Sequence, residues 1–422
     1  MKENKITIIH GDLVDAPVPE KLRVRKGAYL IAQGDTIREI TDTLPETYSG
    51  CEVTELGNGL LIPAFSDLHV HMSQYAQRGI GMDKLLADWL SDYTFPQEAR
   101  FESTAYAEAM YKKALDDMLA QGTFHAAMFT TIHRESCDTL FDMVEKSGMQ
   151  AKIGKVNMDA NCPDYLREST EEALKETERF VADHIGEKDV KPILTPRFAP
   201  TVSRKLMEGL GRIGSRYGVG VQTHLVESLW EAEEAKRCFP GCACDAQIYE
   251  DCGLLGNGPA LFAHFIFPGG KDIELMKKYN GIAVHCPEAT TNVIAGIMPA
   301  EKLMHADGVR VALGTDVGSA GRPAVYRQIA WTVQLSKQRS FYFPEESVTL
   351  SFPEAFYMAV TEGGRAFDRV GLFESGRRLD ALALDGLEDE AFPTEPEDRL
   401  ERFCYCGDDR NIVKRWLNGV CL

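Results

Sequence analysis

The sequence contains no long hydrophobic run. Within its 422 residues, no segment approaches the length of about 18 apolar residues that a membrane-spanning helix requires, so we expect no membrane partner. Residues 1–10 also lack the apolar core and the small-residue cleavage site of a secretory signal peptide. Together these absences predict a cytoplasmic protein.

Positive charge is also scarce. The chain has 46 Lys and Arg against 64 Asp and Glu, which gives a formal net charge of −18. Such a surface repels nucleic acid and anionic membranes, so neither is expected as a partner. A small neutral or cationic substrate suits this charge better. The apolar content of 44% and the charged content of 26% are typical of a globular protein.

Cysteine is present without the spacing of a disulfide framework or a zinc knuckle. The eleven Cys are an odd number scattered through a long chain, which favours reduced thiols. The tightest group consists of Cys238, Cys242, Cys244 and Cys252. It contains no Cys-x-x-Cys pair, so we favour unpaired thiols in a loop over a structural metal site.

Between about 60 and 366, apolar runs alternate with amphipathic helix patterns. The apolar runs are 60–71, 126–132, 151–158, 193–198, 219–225, 260–265, 281–286 and 309–314. The helix patterns are 98–121, 135–147, 168–185, 203–217, 271–279 and 324–338. This alternation predicts an α/β fold, a (β/α)8 TIM-like barrel. A doubly wound sheet is the alternative, weakened because no Gly-x-Gly-x-x-Gly follows a strand.

The two ends of the chain have a different texture, with short strands and Gly or Asp turns. Residues 5–58 and 367–385 share it, so we expect them to pair into one small β-sandwich subdomain. The predicted division is therefore 1–60, 61–366 and 367–422. The acidic, proline-containing segment 386–399 is predicted to be a surface loop.

Histidines cluster at the ends of the predicted strands, where barrel enzymes carry their chemistry. Five of the ten His lie there, namely His69, His71, His224, His264 and His285, and Asp316 follows the eighth run. One such His is more often a hydrogen-bond donor than a ligand, but the coincidence favours a metal site. Three imidazoles (His69, His71, His224) and Asp316 suit Zn²⁺ or Fe²⁺, with an open position for an activated water.

Glu227 lies three residues beyond His224 and just past the end of a strand. A hydrolytic site needs a general acid and base to carry protons from the water to the leaving group. Beside His224 this role is favoured for Glu227. The alternative is a solvated residue in the first turn of a helix, where Glu is common.

Several short motifs then complete a pattern. They are the segments 63–71 (with Asp67, His69 and His71), 71–75, 89–98, 195–198, 222–227, His264, 285–287 and 314–316. These motifs resemble the amidohydrolase superfamily and, within it, the guanine deaminase family, over about residues 5–385. The segment Tyr-Thr-Phe-Pro at 93–96 and the pair Arg197-Phe198 are the more specific elements.

The resemblance implies hydrolytic deamination of guanine to xanthine and ammonia by a metal-activated hydroxide, within purine metabolism. It implies one zinc per subunit, with ferrous iron possible, on His69, His71, His224 and Asp316, and a homodimer. His264 would orient the hydroxide, Glu227 would shuttle protons, and Asp316 would accept one from the water. The implied substrate-binding residues are His71, Gln74, Arg197, Phe198, His224 and Glu227.

Alternatives remain open at this point. Arg197 could form a salt bridge at a strand end, and Gln74 a loop hydrogen bond. The segment 288–292 and Phe265 depart from the family pattern, which leaves selectivity open to another amino-purine, a pterin or an amino-triazine. A non-catalytic scaffold is disfavoured because every ligand is present. His133-Arg-Glu135 lacks the Pro-Cys-x-x-Cys of small zinc deaminases, so we expect it to open a helix.

Overall fold

The computed structural model describes residues 5–345, 348–388, 392 and 394–422. Its strands, in chain order, are β1 Ile6–Val18, β2 Lys21–Gln33, β3 Thr36–Thr41, β4 Val53–Pro63, β5 Phe65–His71, β6 Thr123–Phe129, β7 Gln150–Gly154, β8 Val156–Asn157, β9 Val190–Pro192, β10 Thr195–Pro196, β11 Val221–Leu225, β12 Ala260–His264, β13 Ile282–His285, β14 Arg310–Leu313, β15 Ala381–Leu384, β16 Ile412–Leu417 and β17 Val420–Cys421.

The α-helices lie mostly between the strands of the central segment. They are α1 Leu86–Trp89, α2 Phe95–Ala99, α3 Thr104–Ala120, α4 Arg134–Ser147, α5 Thr170–His184, α6 Arg204–Tyr217, α7 Leu229–Cys238, α8 Asp245–Asp251, α9 Gly270–Lys278, α10 Pro287–Asn292, α11 Ala300–His305, α12 Val325–Tyr342, α13 Phe352–Tyr357 and α14 Pro396–Cys406. Among the residues described, no helix is both long and apolar enough to cross a bilayer.

The central strands form two four-stranded parallel sheets, ordered β5-β6-β7-β9 and β11-β12-β13-β14. Single bridges connect them. The amide of Leu194 donates to the carbonyl of Gly220 at 3.0 Å, and the amide of Asp316 donates to the carbonyl of His69 at 2.8 Å. Each predicted apolar run contains a parallel strand, so the predicted α/β alternation is present. Closure into one barrel stays a prediction.

Apolar side chains from both parallel sheets pack together. The cluster includes Leu68, Ala127, Ile193, Leu261 and Val284, all buried. Strands that are buried on both faces read as continuous apolar runs, which is why the sequence showed runs here instead of alternation. This packing brings the carboxyl ends of β5, β11, β12 and β13 to one side of the molecule.

The chain ends form a separate seven-stranded sheet, ordered β17-β16-β15-β4-β1-β2-β3. Strand β4 pairs antiparallel with β15, so the two ends do pair, as their shared texture predicted. The run 60–71 is not one strand: its first part belongs to β4 in this sheet and its second part is β5. Whether the sheet folds into a sandwich stays a prediction.

The prediction of a surface loop over 386–399 was wrong in its last part. Helix α14 begins at Pro396, and Glu395 with Asp398 forms a capping box before it. Arg399 is buried and forms an ion pair with Asp12 at 2.6 Å. The acidic composition of 386–399 gives no indication of this pair, because Asp12 lies at the other end of the chain. Residues 389–391 and 393 lie outside the described residues.

The predicted helix 98–121 is also divided. The backbone passes through a π-helical turn, Leu90–Thr94, and then α2 before a short 3-10 turn, and α3 starts after Ser103. The hydroxyl of Ser103 accepts a hydrogen bond from the amide of Tyr106 and so caps α3. Helix α4 begins at Arg134 with Glu135 in its first turn, which confirms the prediction that His133-Arg-Glu135 opens a helix.

Candidate active site

Four side chains with the chemistry of metal ligands meet beside the carboxyl ends of the strands. Nε2 of His71 lies 3.1 Å from Nε2 of His224. Oδ1 of Asp316 lies 3.3 Å from Nε2 of His69 and 3.4 Å from Nε2 of His71. Two groups, His69–His71–His224 and His69–His264–Asp316, each place all their ligand atoms within 4.8 Å of one another. His71 and Asp316 therefore lie side by side although they are 245 positions apart in the chain.

The imidazoles are oriented as ligands. Nδ1 of His224 lies 2.6 Å from the carbonyl oxygen of Arg197, to which it donates, and this leaves the lone pair of Nε2 facing its neighbours. Nε2 of His69 and Nδ1 of His264 are buried and have no hydrogen-bond partner in the described part of the chain. Buried polar nitrogens without partners are costly, so an ion beside His69 fits this observation.

Electrostatics match the same role. Burial lowers the pKa of His71 and His224 well below the usual value, and the surrounding imidazoles lower it further. Burial also lowers the pKa of His264 to about 3. For Asp316, burial favours the neutral acid, but the adjacent imidazole of His69 and those of His71 and His264 hold its pKa well below the usual value of 3.8. Neutral imidazoles and an ionised carboxylate are the states that bind a divalent cation.

Asp67 supports this group without belonging to it. Its Oδ1 accepts from the amide of Thr315 at 2.9 Å, and its Oδ2 accepts from the hydroxyl of Thr315 at 2.5 Å. Burial raises the pKa of Asp67 to about 6. The carboxylate therefore links β5 to the turn that carries Asp316.

Backbone strain is concentrated around the same point. Val226, His264, Phe265 and Asp316 have φ values of 48°, 74°, 47° and 54°, in the left-handed region that non-glycine residues rarely adopt. Such residues persist where the surrounding structure holds them and are typical of functional sites. At Asp316 the amide donates to His69 and the carboxylate accepts from the hydroxyl of Ser319 at 2.7 Å, which fixes the strained turn.

Glu227 lies between the strand β11 and the helix α7. Its Oε2 is 3.7 Å from Nε2 of His264, and 13% of its side chain is exposed. Burial raises the pKa of Glu227 well above the usual range, and the negative charges of Glu231 and Asp316 add to the effect. Since α7 begins only at Leu229, Glu227 precedes the helix and faces the cluster. This position suits a group that holds and transfers a proton.

The cluster borders a cavity with about 520 Å³ of empty volume. Of the predicted site residues, all but His69 line it, and His69 lies behind the others. The further lining residues are Leu86, Trp89, Leu90, Ser228, Trp230, Glu231 and Ser319. Trp89 belongs to the motif 89–98 that the sequence shares with the family. Trp230 and Ser319 were not anticipated, because no motif marks them in the sequence.

Gln74 and Arg197 line the same cavity and share one buried partner, Glu98. Nε2 of Gln74 donates to Oε1 of Glu98 at 2.8 Å, and Nη1 of Arg197 donates to Oε2 of Glu98 at 2.5 Å. The guanidinium also lies 5.2 Å from the ring centre of Phe95. Both structural alternatives, a salt bridge for Arg197 and a hydrogen bond for Gln74, are therefore present, and both side chains still face the cavity.

The departures from the family pattern lie beside Asp316. Glu288 accepts from the amide of Gly321 at 3.1 Å and from Gln328 at 2.9 Å, and Asn292 donates to the carbonyl of Ser319 at 2.8 Å. These bonds hold the loop that follows β14. His285 is buried at the end of β13, and burial lowers its pKa to about 3.

The cysteines show no comparable convergence. All eleven are unpaired, including Cys238, Cys242, Cys244 and Cys252. Among the described residues, the groups close enough to share an ion are the two around His69, and neither contains a cysteine. The thiol of Cys242 lies 3.7 Å from both Arg204 and Asp251.

Comparisons with known proteins agree with this geometry. The model of the Amidohydrolase family matches residues 60–422. A guanine deaminase of Dictyostelium discoideum is 34% identical over 378 residues, covering 87% of this chain and 83% of its own length. A guanine deaminase of Homo sapiens is 32% identical, covering 88% and 85%.

Solved structures extend the likeness to the whole fold. The crystal structure of guanine deaminase from C. acetobutylicum with bound guanine in the active site has a TM-score of 0.96 and 39% identity, covering 99% of this chain and 100% of its own. Guanine deaminase of E. coli has a TM-score of 0.89 at 25% identity. The chain belongs to the amidohydrolase family and, within it, groups with the guanine deaminases.

Proposed function

We propose that this protein is a guanine deaminase, which hydrolyses guanine to xanthine and ammonia. The observation that carries the proposal is the buried group of three imidazoles and one carboxylate beside a cavity lined by Gln74 and Arg197. Similarity to a guanine-bound structure over nearly the whole chain supports the choice of substrate.

The proposed ion is zinc, one per subunit, with ferrous iron as the second candidate, held by His69, His71, His224 and Asp316. Three imidazoles and a carboxylate are typical donors for either ion. The unpartnered Nε2 of His69 and the lowered pKa values of His71 and His224 support this assignment. When bound, such an ion lowers the pKa of a water molecule and so supplies the nucleophile.

The chain's own residues manage the protons. Asp316 is ionised and takes a proton from the attacking water, whose oxygen adds to C2 of guanine. His264 orients this water through its buried imidazole. Glu227, which holds a proton because of its raised pKa, gives it to the neighbouring ring nitrogen. Glu227, now ionised, takes the proton of the C2 hydroxyl and gives it to the 2-amino group, so that ammonia leaves as the C2–N bond breaks and a carbonyl remains at C2. The proton held by Asp316 then returns to Glu227 and restores both groups.

The substrate is held by groups on opposite walls. The guanidinium of Arg197 and the amide of Gln74 bind the carbonyl and the adjacent ring nitrogens, since planar donors suit two acceptors side by side. Phe198 lies 6.5 Å from the ring of His224 and 6.3 Å from Trp230, and it packs against the base. His71, His224 and Glu227 border the reacting carbon.

The finer architecture belongs to the same proposal. We infer a (β/α)8 barrel over 61–366, with 1–60 and 367–422 forming a β-sandwich subdomain. The homodimer and the cytoplasmic location are likewise proposals, which rest on the family and on the composition. Nucleic acid and membranes are not proposed as partners, because of the charge of −18.

A related aminohydrolase acting on another amino-purine, a pterin or an amino-triazine is the second candidate. The observation that favours it is the departure from the family pattern at Phe265, directly after His264, and at 288–292, where Glu288 and Asn292 hold the loop after β14. The test is ammonia release from a panel of these heterocycles, with elemental analysis of the same preparation. We expect guanine to give the highest kcat/KM and about one ion per chain. Guanine turned over no faster than the others would overturn the proposal.

A further inference from the structure

Glu98 lies behind the wall of the cavity without lining it. Only 4% of the residue is exposed, although it is an acid. Each carboxylate oxygen has one partner: Oε1 accepts from Gln74 and Oε2 accepts from Arg197. Both partners line the cavity. Glu98 therefore reaches a ligand only through the two residues that it holds.

The orientation of the Gln74 amide is set by its bond to Glu98. An ionised carboxylate accepts hydrogen bonds and donates none, so the amide nitrogen and not the oxygen must face Glu98. The oxygen end lies against Gly318, where an added Cβ would come within 2.2 Å of Oε1. Gly318 has a φ of 127°, which suits glycine. Turning the amide over would place its oxygen against the carboxylate of Glu98, so the ionised Glu98 keeps the nitrogen on this side.

Arg197 is held in the same way and keeps N–H groups free. Nη1 is taken by Glu98, the guanidinium lies over Phe95, and the backbone amide donates to Asn157 at 3.3 Å. Within the described ranges, Nε and Nη2 of Arg197 have no hydrogen-bond partner. Together with the second hydrogen on Nε2 of Gln74, this side of the cavity offers donors to a ligand.

We propose that Glu98 is a positioning residue that determines specificity by fixing this wall as a hydrogen-bond donor. A purine with a carbonyl at position 6 presents an acceptor to the wall, whereas a 6-amino group presents N–H donors to N–H donors. The mismatched pair leaves buried donors unsatisfied and is rejected. The inference rests on the proposed function and adds the residue that sets its selectivity.

Replacing Glu98 by Gln removes this constraint. A glutamine both donates and accepts, so the amide of Gln74 is free to turn over, and Arg197 loses its buried counter-charge. The probes are guanine and 2,6-diaminopurine, which carry the same 2-amino group and differ at position 6. We expect the ratio of their kcat/KM values to fall at least about tenfold in Glu98→Gln, mainly through a higher KM for guanine.

The control is Glu102→Gln, the same chemical change on an exposed residue four positions along the chain. The ratio of its kcat/KM values for guanine and 2,6-diaminopurine should equal that of the wild type. Metal content, measured on every variant, should stay at the wild-type level, since Glu98 contacts none of the proposed ligands in the described structure. If Glu98→Gln does not fold, the same kcat/KM ratio is measured in Glu98→Asp. This variant keeps the charge and withdraws the carboxylate from Gln74 and Arg197 by one methylene.

An unchanged ratio in Glu98→Gln would overturn the inference, and so would an equal loss of activity on both purines, which indicates only structural damage. In the fallback variant, a fallen ratio supports the inference and an unchanged ratio overturns it. A wild-type protein that fails to deaminate guanine overturns the proposed function instead, so the two failures are distinguishable.

Discussion

The two ends of β5 differ in how their buried histidines are satisfied. At the amino end, Nδ1 of His125 is 3.1 Å from the hydroxyl of Ser66, and Nε2 is 3.1 Å from Oδ2 of Asp380. At the carboxyl end, Nε2 of His69 and Nδ1 of His264 have no hydrogen-bond partner within the described residues. The fully partnered histidine joins segments of the fold, and the unpartnered ones are left for a ligand.

Residue types alone would mislead at the amino end. Ser66, His125 and Asp380 have the composition of a hydrolytic triad. All three are buried, and none lines the cavity of the site. Asp380 also accepts from the backbone amide of Asn418 at 2.6 Å, which connects the parallel strands to the end of β16. This network is a structural connection, and access to a ligand is what separates it from the carboxyl-end cluster.

The largest effect is expected from a substitution of His224 in the carboxyl-end cluster. Substitution by Ala removes one of three imidazoles, so we expect loss of bound metal and of nearly all guanine deamination. The measurement is metal per chain by elemental analysis. His125→Ala, the same change at the amino end, should keep its metal. An unchanged metal content in His224→Ala would contradict the ligand assignment.

Glu227→Gln sharpens the distinction between holding the ion and moving protons. Without a group that gains and loses a proton, kcat should fall by about 10²- to 10⁴-fold while bound metal stays constant. Steady-state kinetics on guanine measure this. Glu233→Gln on the exposed side of α7 is the control and should behave as the wild type. Near-normal turnover in Glu227→Gln would remove the residue from its role.

Arg197→Lys tests the recognition wall. A lysine keeps the charge and loses the planar fork, so kcat/KM for guanine should fall by about 10- to 100-fold, with less change for purines lacking the carbonyl. A substrate panel measures the preference. Arg179→Lys on exposed α5 provides the matched control. An unaltered preference would assign Arg197 to the salt bridge alone.

The smallest functional effect is expected at the amino end. His125→Ala leaves Ser66 and Asp380 with unsatisfied buried groups and should lower the free energy of unfolding by about 2–4 kcal/mol. Denaturant titration measures it. His305→Ala, a half-exposed histidine beside Glu354, should cost about 1 kcal/mol or less. Equal losses in the two variants would contradict the structural role of His125.

Much of the fold and the residues that converge at the candidate metal site were predictable, because both leave local signals. Buried parallel strands appear as apolar runs, and the residues that follow them mark the chemistry, as at His69, His71 and Asp316. The division of 60–71 between two sheets left no such signal, since both parts are apolar. The change occurs at Ala64, whose amide donates to the carbonyl of Asp380 more than 300 residues later.

The supporting contacts were not predictable for a related reason. Glu98 and Arg197 are 99 residues apart, and His125 and Asp380 are 255 apart. Nothing near either residue in the sequence indicates its partner, because the pairing is set by how the strands and loops pack. The packing of helix α14 could not be predicted for the same reason, since Arg399 is buried beside Asp12 from the other end of the chain.

The most direct test of the account is a zinc titration of metal-free protein, followed by ammonia release from guanine. We expect no activity before the addition of zinc and a plateau at about one ion per chain, the number that a single four-ligand group holds. Full activity in protein from which the metal has been completely removed would contradict the proposal that His69, His71, His224 and Asp316 form a metal centre.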